Sequence, residues 1–300
     1  MTDIAPDALG PLHPAATPAD LPPLREVIRA LDLRASKAFS QNFILDLNLT
    51  GRIARSDGSL EGRTVIEIGP GPGGLTRALL GDGAAHVLAI EKDPRCAPAL
   101  AQIMSAHPPG RLRAVQADAL TFDYEANLPD TAKDVTIAAN LPYAIATKLL
   151  TSWLDIEPWP PWFASMILMF QREVADRIVA EPGTKAYGRL AVLSQWRCHV
   201  AREIELKPEA FTPPPKVSSS VVVFHPKRDH DDRCSAKALA RVTAAAFGQR
   251  RKMLRQSLKQ LTPMPELLLD KAGIAPEARA ETLTVTDFVT LAEALGSSTE

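Results

Sequence analysis

Thr64-Val65-Ile66-Glu67-Ile68-Gly69-Pro70-Gly71-Pro72-Gly73-Gly74 is the stretch that decides the fold. An apolar, β-branched run ends in a cluster of glycines, and a helical pattern follows over Leu75 to Leu80. Glycines between a strand and a helix let the backbone approach a ligand seated over the helix N-terminus. Outward from this loop, short β-rich runs alternate with helical ones: His86 to Ile90, Ala97 to His107, Leu112 to Gln116, Val135 to Ala139, Ala144 to Leu154 and Phe163 to Phe170. Repetition of βα predicts the α/β class, a parallel sheet with helices on both faces. Val200 to Leu206 and Ser219 to Phe224, joined by a proline-rich connection, predict an antiparallel pair closing one edge.

The flanks read differently. Residues 1–24 hold Pro6, Pro11, Pro14, Pro18, Pro22 and Pro23 with three aspartates and no Lys or Arg, so a disordered tail is expected there. Residues 25–227 form the expected ligand-binding domain. Beyond His225 strand character stops, and Lys237 to Leu261 and Pro265 to Leu295 predict a small all-helical domain over 228–300. Hydrophobic content of 46% and charged content of 23% are ordinary for a globular chain. The longest apolar run, Phe163 to Phe170, is too short to span a bilayer, so no membrane association is expected. The first cation is Arg25, leaving no basic region for a secretory or mitochondrial leader, and the expected address is the cytoplasm. Cys96, Cys198 and Cys234 are odd in number and lack Cys-x-x-Cys spacing, which argues against a disulfide framework and against a metal site.

The glycine loop leaves its ligand open. Gly69, Gly71 and Gly74 satisfy the dinucleotide pattern, and Glu91 lies about 20 residues on, where a ribose ligand belongs. Both NAD and S-adenosylmethionine fit that spacing. Glu91 either accepts ribose hydroxyls or is an exposed strand-end carboxylate. Asp118, after the third strand, is placed to accept from an adenine amino group or to cap a helix at Ala119. Glu67 is either a cofactor neighbour or a structural hydrogen-bond partner.

Asn140-Leu141-Pro142-Tyr143 ends the fourth strand, where open α/β sheets reverse strand order and bind ligands. The exocyclic amine of adenine is a poor nucleophile because its lone pair is delocalised into the ring. A site that activates it needs acceptors where the N–H groups point as the nitrogen pyramidalises. The Asn140 carboxamide oxygen and the Leu141 carbonyl suit that task, Pro142 fixes the local backbone, and Tyr143 offers a face on which a base stacks. A plain strand-to-helix turn explains Asn140 and Pro142 but leaves the aromatic residue without a purpose.

With these segments in hand, the chain resembles the ribosomal RNA adenine dimethyltransferase family, in its small-subunit branch, from about Ser36 to Leu295. Six segments in order carry the resemblance: Ser40-Gln41-Asn42-Phe43-Ile44, Glu67-Ile68-Gly69-Pro70-Gly71, Asn140-Leu141-Pro142-Tyr143, Lys185-Ala186-Tyr187-Gly188-Arg189-Leu190, Ala210-Phe211-Thr212-Pro213-Pro214-Pro215-Lys216-Val217 and Phe247-Gly248-Gln249-Arg250-Arg251-Lys252. The resemblance implies a seven-stranded Rossmann-like methyltransferase sheet with a helical C-terminal domain, and S-adenosylmethionine as methyl donor. Residue by residue it implies that Asn42, Ile44, Gly69, Gly71, Glu91, Asp118 and Asn140 hold the cofactor. Asn140, Leu141, Pro142 and Tyr143 would form the catalytic motif, with Phe211 a second stacking face; as a bare sequence feature Phe211 also reads as loop packing. Ser40 stands where the family has glycine and Ile44 where it has leucine. Ala139, Ala144 and Ala146 replace polar or glycine neighbours of the Asn140 motif, which touches fine positioning of the target. The implied product is N6,N6-dimethyladenosine at two adjacent adenines in a loop near the 3′ end of small-subunit rRNA. The implied partner is a partly assembled 30S particle, met by a monomer.

Between Lys227 and Gln260 cations outnumber acids ten to three, inside a chain of net charge -1. Arg251, Arg255 and Lys259 are spaced i, i+4, i+8, as on one helix face; with Arg250 and Lys252 they are the expected RNA contacts, the alternative being a solvated face. Three other functions compete. A large-subunit rRNA adenine methyltransferase of the antibiotic-resistance type shares the Asn140 motif but not the Lys185 and Thr212 segments. A dehydrogenase lacks a hydride-transfer acid, and an assembly factor that binds the pre-subunit needs no intact cofactor site.

Overall fold

A computed structural model describes residues 1–33, 42–140, 143–229 and 231–296. The chain forms two compact units: Met1–Leu149 with Trp162–Arg172 and Arg202–Phe224, and Leu150–Pro161 with Glu173–Ala201 and His225–Glu300.

The first unit carries the sheet, apart from residues 198–201, which start one strand, and 225–226, which end another. Its strands are β1 (Thr2–Asp3), β3 (Thr64–Ile68), β4 (His86–Glu91), β5 (Leu112–Gln116), β6 (Thr136–Ala139), β7 (Ser165–Gln171), β8 (Cys198–Leu206) and β10 (Ser219–Pro226), with β2 (Phe43–Ile44) and β9 (Phe211–Thr212) forming a separate ribbon. Among the described residues the sheet order is β1-β5-β4-β3-β6-β7-β10-β8. β5, β4, β3, β6 and β7 run parallel, and β10 is antiparallel to β7. The chain builds β4 and β5 on one side of β3, then returns to place β6 and β7 on the other. The crevice beyond the C-terminal ends of β3 and β6 is therefore the switch point at which such sheets bind ligands. All five residues of β3 are buried, which is why it reads as a continuous apolar run rather than an alternating one. Val65, Leu79, Leu100 and Ile103 are among the side chains that fill the core between the sheet and helices α3 (Gly74–Gly81) and α4 (Ala97–Ser105).

The mostly parallel α/β sheet matches expectation, and β1 raises the strand count from seven to eight. That strand belongs to the segment expected to be a disordered tail, and the expectation fails. β1 pairs antiparallel with β5, Ile4 N donates to Ala114 O at 2.8 Å, and Asp3 meets Arg113 at 2.9 Å. Farther along, Gln102 donates to the His13 carbonyl, Ser105 Oγ accepts from Ala15 N, and Arg77 donates to the Pro22 carbonyl at 2.7 Å. A proline-rich strand cannot build its own ladder. Here its carbonyls are satisfied by side chains of α3 and α4, and its prolines lower the entropy lost on ordering.

The second unit is helical, and it reaches further back than residue 228. It takes in α6 (Arg172–Ile178) from Glu173 on and α7 (Arg189–Arg197), which join α8 (Ala236–Gly248), α9 (Leu254–Ser257), α10 (Pro265–Lys271) and α11 (Val285–Gly296). Tyr187 meets the Phe247 ring edge-on at 5.9 Å, and Phe247 lies 5.3 Å from Phe288. The single domain boundary expected at 227 is thus replaced by five crossings of the chain between the units. The sequence pattern of α6 and α7 is that of any helix in a βα alternation, so nothing local marks which core they join.

Candidate active site

The loop after β3 is built to leave space. Gly69 leaves the strand at φ +68, and a Cβ there would meet nothing within 4 Å. The backbone at this point faces an open cavity. Gly74, at the start of α3, is glycine for the opposite reason: a Cβ would stand 2.9 Å from the Ile44 carbonyl oxygen, a backbone atom that cannot swing aside.

Ile44 belongs to the ribbon, where Phe43 pairs with Thr212 and Ile44 with Phe211. Two of the six sequence segments, from opposite ends of the domain, are here one structural piece. Ile44 and Phe211 are both buried, so the packing role open to Phe211 is real, and it lines the cavity as well. The cavity holds about 260 Å³.

The acids at the strand ends are already engaged. Glu91 is buried, its Oε2 accepting from Gly71 N and its Oε1 from Asp93 N, each at 2.8 Å. Burial pushes its carboxyl up, against the pull of those N–H groups. The Lys92 backbone N–H adds to them, and a carboxylate with about four acceptor sites still has capacity for a further donor. Asp118 accepts from Lys92 Nζ at 2.8 Å and from Leu120 N at 3.0 Å, and the Lys92 ammonium holds its carboxyl below the usual range. It lines the cavity and braces the turn after β5 through Leu120 N; no helix begins at Ala119 for it to cap. Glu67 lines the same cavity at 1% exposure, and its Oε2 has no hydrogen-bond partner. Burial pushes that carboxyl up to about 8, offset in part by Thr76.

At the end of β6, Asn140 lines the cavity beside Tyr143, the first residue of α5 (Tyr143–Leu154). The Tyr143 hydroxyl shares a 2.6 Å hydrogen bond with Ser219 Oγ at the start of β10, and burial raises its phenol above the ordinary range. The ring is thus neutral and pinned at its far end. Leu141 and Pro142 lie outside the described residues, as do Ser40 and Gln41.

One cavity therefore gathers Asn42, Ile44, Gly69, Gly71, Glu91, Asp118, Asn140, Tyr143 and Phe211. Lys92, Phe43 and Ser219 were not found from sequence. Lys92 adjoins Glu91 and could have been noticed there. Ser219 sits in a run of three serines with nothing to single it out. Among the described residues no group of three His, Cys, Asp or Glu is placed to hold a metal, and no helix is long and apolar enough to cross a membrane.

The basic segment is not one helix face. α8 ends at Gly248, and Met253 is extended before the four-residue α9. Leu254 N and Arg255 N donate to the carbonyls of Ala278 and Pro276 instead of to a preceding turn, so Arg251, Arg255 and Lys259 do not follow helical spacing. Arg250 turns inward, donating to Glu281 Oε2 and the Tyr187 carbonyl, each at 2.9 Å, and to the Thr184 carbonyl at 3.1 Å. Arg255 stands 3.3 Å from Glu277, while Arg251, Lys252 and Lys259 are exposed. Arg250→Ala is accordingly expected to cost about 1–3 kcal/mol of stability, read as a lower urea midpoint, because two carbonyls and a carboxylate lose their donor. A loss of RNA affinity at unchanged midpoint would contradict this.

A family model described as ribosomal RNA adenine dimethylase matches residues 33–296. The ribosomal RNA small subunit methyltransferase A of Bradyrhizobium sp. (strain ORS 278) is 58% identical over 279 residues, spanning 93% of this chain and 96% of that protein. Its counterpart in Azorhizobium caulinodans is 57% identical over 277 residues, spanning 92% and 94%. Among solved structures, a dimethyladenosine transferase from Plasmodium falciparum superposes with a TM-score of 0.70 at 24% identity, covering 82% of this chain and 94% of its own. The 23S rRNA methyltransferase ErmE gives 0.63 at 25% identity, covering 85% and 100%.

Proposed function

The chain belongs to the ribosomal RNA adenine dimethylase family, and on that premise we propose how its cavity carries out the reaction. The protein is an rRNA adenine dimethyltransferase acting on small-subunit rRNA. The observation that carries the reading is the meeting of Asn140, Tyr143 and Phe211 with Glu91 and Asp118 around one cavity at the sheet's switch point.

The residues present suit S-adenosylmethionine. The open space over Gly69 admits a ligand against the backbone, Glu91 keeps acceptor capacity for a ribose hydroxyl, and Asp118 can accept from an adenine amine. Asn42 and Ile44 close the cavity from the ribbon. When bound, this cofactor supplies a methyl group activated by a sulfonium.

The chain's own task is to present the target amine. Asn140 accepts an N–H of the adenine N6 through its carboxamide oxygen, which favours the pyramidal nitrogen whose lone pair can attack. Tyr143, held by Ser219, offers its face to the base, and Phe211 supports the opposite wall. No strong general base is required, since the methylated nitrogen is acidic and passes its proton to water. Leu141 and Pro142 complete the motif by their sequence positions. The targets are two adjacent adenines of a loop near the 3′ end of small-subunit rRNA, each becoming N6,N6-dimethyladenosine; loop bases leave the stack at low cost. The enzyme acts as a cytoplasmic monomer on a partly assembled 30S particle, with Arg251, Lys252 and Lys259 on phosphates. Their joint replacement by Ala should flatten the dependence of log K on log salt by about 0.7 per lost contact.

Mass spectrometry of rRNA from cells with and without the gene tests the reading. Dimethyladenosine lost from small-subunit rRNA is expected; loss from large-subunit rRNA alone would favour an ErmE-like activity. Glu91→Ala should weaken S-adenosylmethionine by about 1–3 kcal/mol in calorimetry, the cost of losing a charged acceptor. Binding of NAD with no binding of S-adenosylmethionine would overturn the cofactor assignment.

A further inference from the structure

Two carboxyls are sealed beneath the cavity, and they are not alike. Glu91 accepts two backbone N–H groups, which favour its anion. Glu67, at 1% exposure, has Oε2 without a hydrogen-bond partner, and the Thr76 hydroxyl and backbone N–H that face its carboxyl offset the burial only in part. Its register neighbours on the adjoining strands are Ala89 and Ala138, whose small side chains supply no counter-charge. Thr50 and Ile53 of helix α2 (Leu47–Ala54) and Leu75 of α3 line the cavity and do not titrate. The cation of α3, Arg77, is turned to the Pro22 carbonyl. The titratable group whose charge reaches Glu67 is Glu91, of the same sign. Among the described residues lining the cavity the one Lys or Arg is Lys92, and Asp118 engages it at 2.8 Å. An ionised carboxylate buried without a counter-charge is strongly disfavoured.

On the functional reading above, Asp118 marks the base and Glu91 the ribose, so the methionyl part of the cofactor, with its sulfonium and ammonium, lies toward β3 and β6, over Glu67. We propose that Glu67 is a buried counter-charge for that cationic part, a neutral acid while the cavity holds no cation and a carboxylate once one enters. The O–H bond of Glu67 breaks, its electron pair stays on the carboxylate, and the proton passes to solvent; no bond forms to the cofactor. The raised affinity of the free carboxyl for its proton, with a pKa of about 8, sets the window in which this exchange is measurable. Cofactor binding then tightens with pH, and the pocket discriminates a charged donor from neutral nucleosides by charge.

Titration calorimetry of the full chain with S-adenosylmethionine at pH 7, in buffers of different ionisation enthalpy, reads the proton number directly. Close to one proton released per cofactor bound is expected, falling toward zero by about pH 9.5, with affinity rising about tenfold per unit between pH 6 and pH 7.5. Glu67→Gln should abolish the release and flatten that rise. 5′-Methylthioadenosine, which has neither charge, should bind without release. S-Adenosylhomocysteine, which keeps the ammonium and lacks the sulfonium, tells which cation Glu67 answers: release retained points to the ammonium, release lost to the sulfonium. Binding without proton exchange in the wild type, equal release with methylthioadenosine, or release retained in Glu67→Gln would overturn the proposal while leaving the functional reading intact. No binding of S-adenosylmethionine at all would overturn both. If Glu67→Gln does not fold, the pH series and the neutral nucleoside still decide.

Discussion

Asn140→Ala is expected to lower kcat by about 10²-fold or more while S-adenosylmethionine affinity stays within a few-fold. The carboxamide oxygen interacts most strongly with the target amine as its nitrogen pyramidalises and charge develops, so its removal is felt in the transition state more than in either ground-state complex. Asn140 also lines the cofactor cavity, which makes a small change in affinity part of the expectation. Single-turnover methylation of a small-subunit rRNA substrate, paired with calorimetry, separates the two. Equal losses in rate and affinity would reduce Asn140 to a cofactor ligand. A second variant, Ser219→Ala, removes the partner of the Tyr143 hydroxyl and should lower kcat less, because the ring remains but its tilt is no longer held.

The second large effect concerns stability rather than rate. A carboxyl held at about 8 in the folded chain keeps its proton more tightly than the same group does when unfolded, near its ordinary value of 4.5. Its contribution to stability is therefore fully present below about pH 4.5 and is lost as pH rises through 8. The loss approaches about 1.4 kcal/mol per pH unit across that window. Wild type and Glu67→Gln compared by urea midpoint should diverge in step with this: the wild type loses stability from about pH 5 to pH 8 relative to the variant, and the variant becomes the more stable protein at pH 8.5. Glu91 is raised in the same direction, and because its charge reaches Glu67 its own titration adds a smaller share to the difference. Parallel midpoints across the range would mean that Glu67 is ionised in the folded protein.

The parts of this molecule that were legible in the sequence are those whose chemistry is local. The glycine loop, Glu91, Asp118 and Asn140 each sit at a strand end, and strand ends can be read from hydrophobic runs and turn residues. The β2/β9 ribbon was visible only as two separate segments, because nothing in Phe43-Ile44 or Phe211-Thr212 names the other as its partner. Residues 1–24 were illegible for a different reason. Beyond the short pairing of β1 with β5, their hold on the domain comes from Arg77, Gln102 and Ser105, which give no sign in the sequence of what they bind. The Arg251, Arg255 and Lys259 stripe was misread by carrying helical spacing past Gly248, where the backbone instead bonds to the carbonyls of Pro276 and Ala278. The split of the helices between two units was hidden because a helix pattern states that one face is buried and not against what.

The ribbon has a consequence for how the protein comes into being. The glycine loop, Glu91 and Asp118 belong to the first part of the chain to leave the ribosome, yet Ile44 has no strand partner and the cavity no Phe211 wall until β9 has emerged. Pairing across so long a stretch of chain is slow, because the loop between must be closed before the contact repays it. A nascent chain ending before Phe211 would carry the acids of the site without its enclosure. Ligand capture should thus come late in synthesis and coincide with closure of the ribbon, so that a captured cofactor marks a chain made at least through β9.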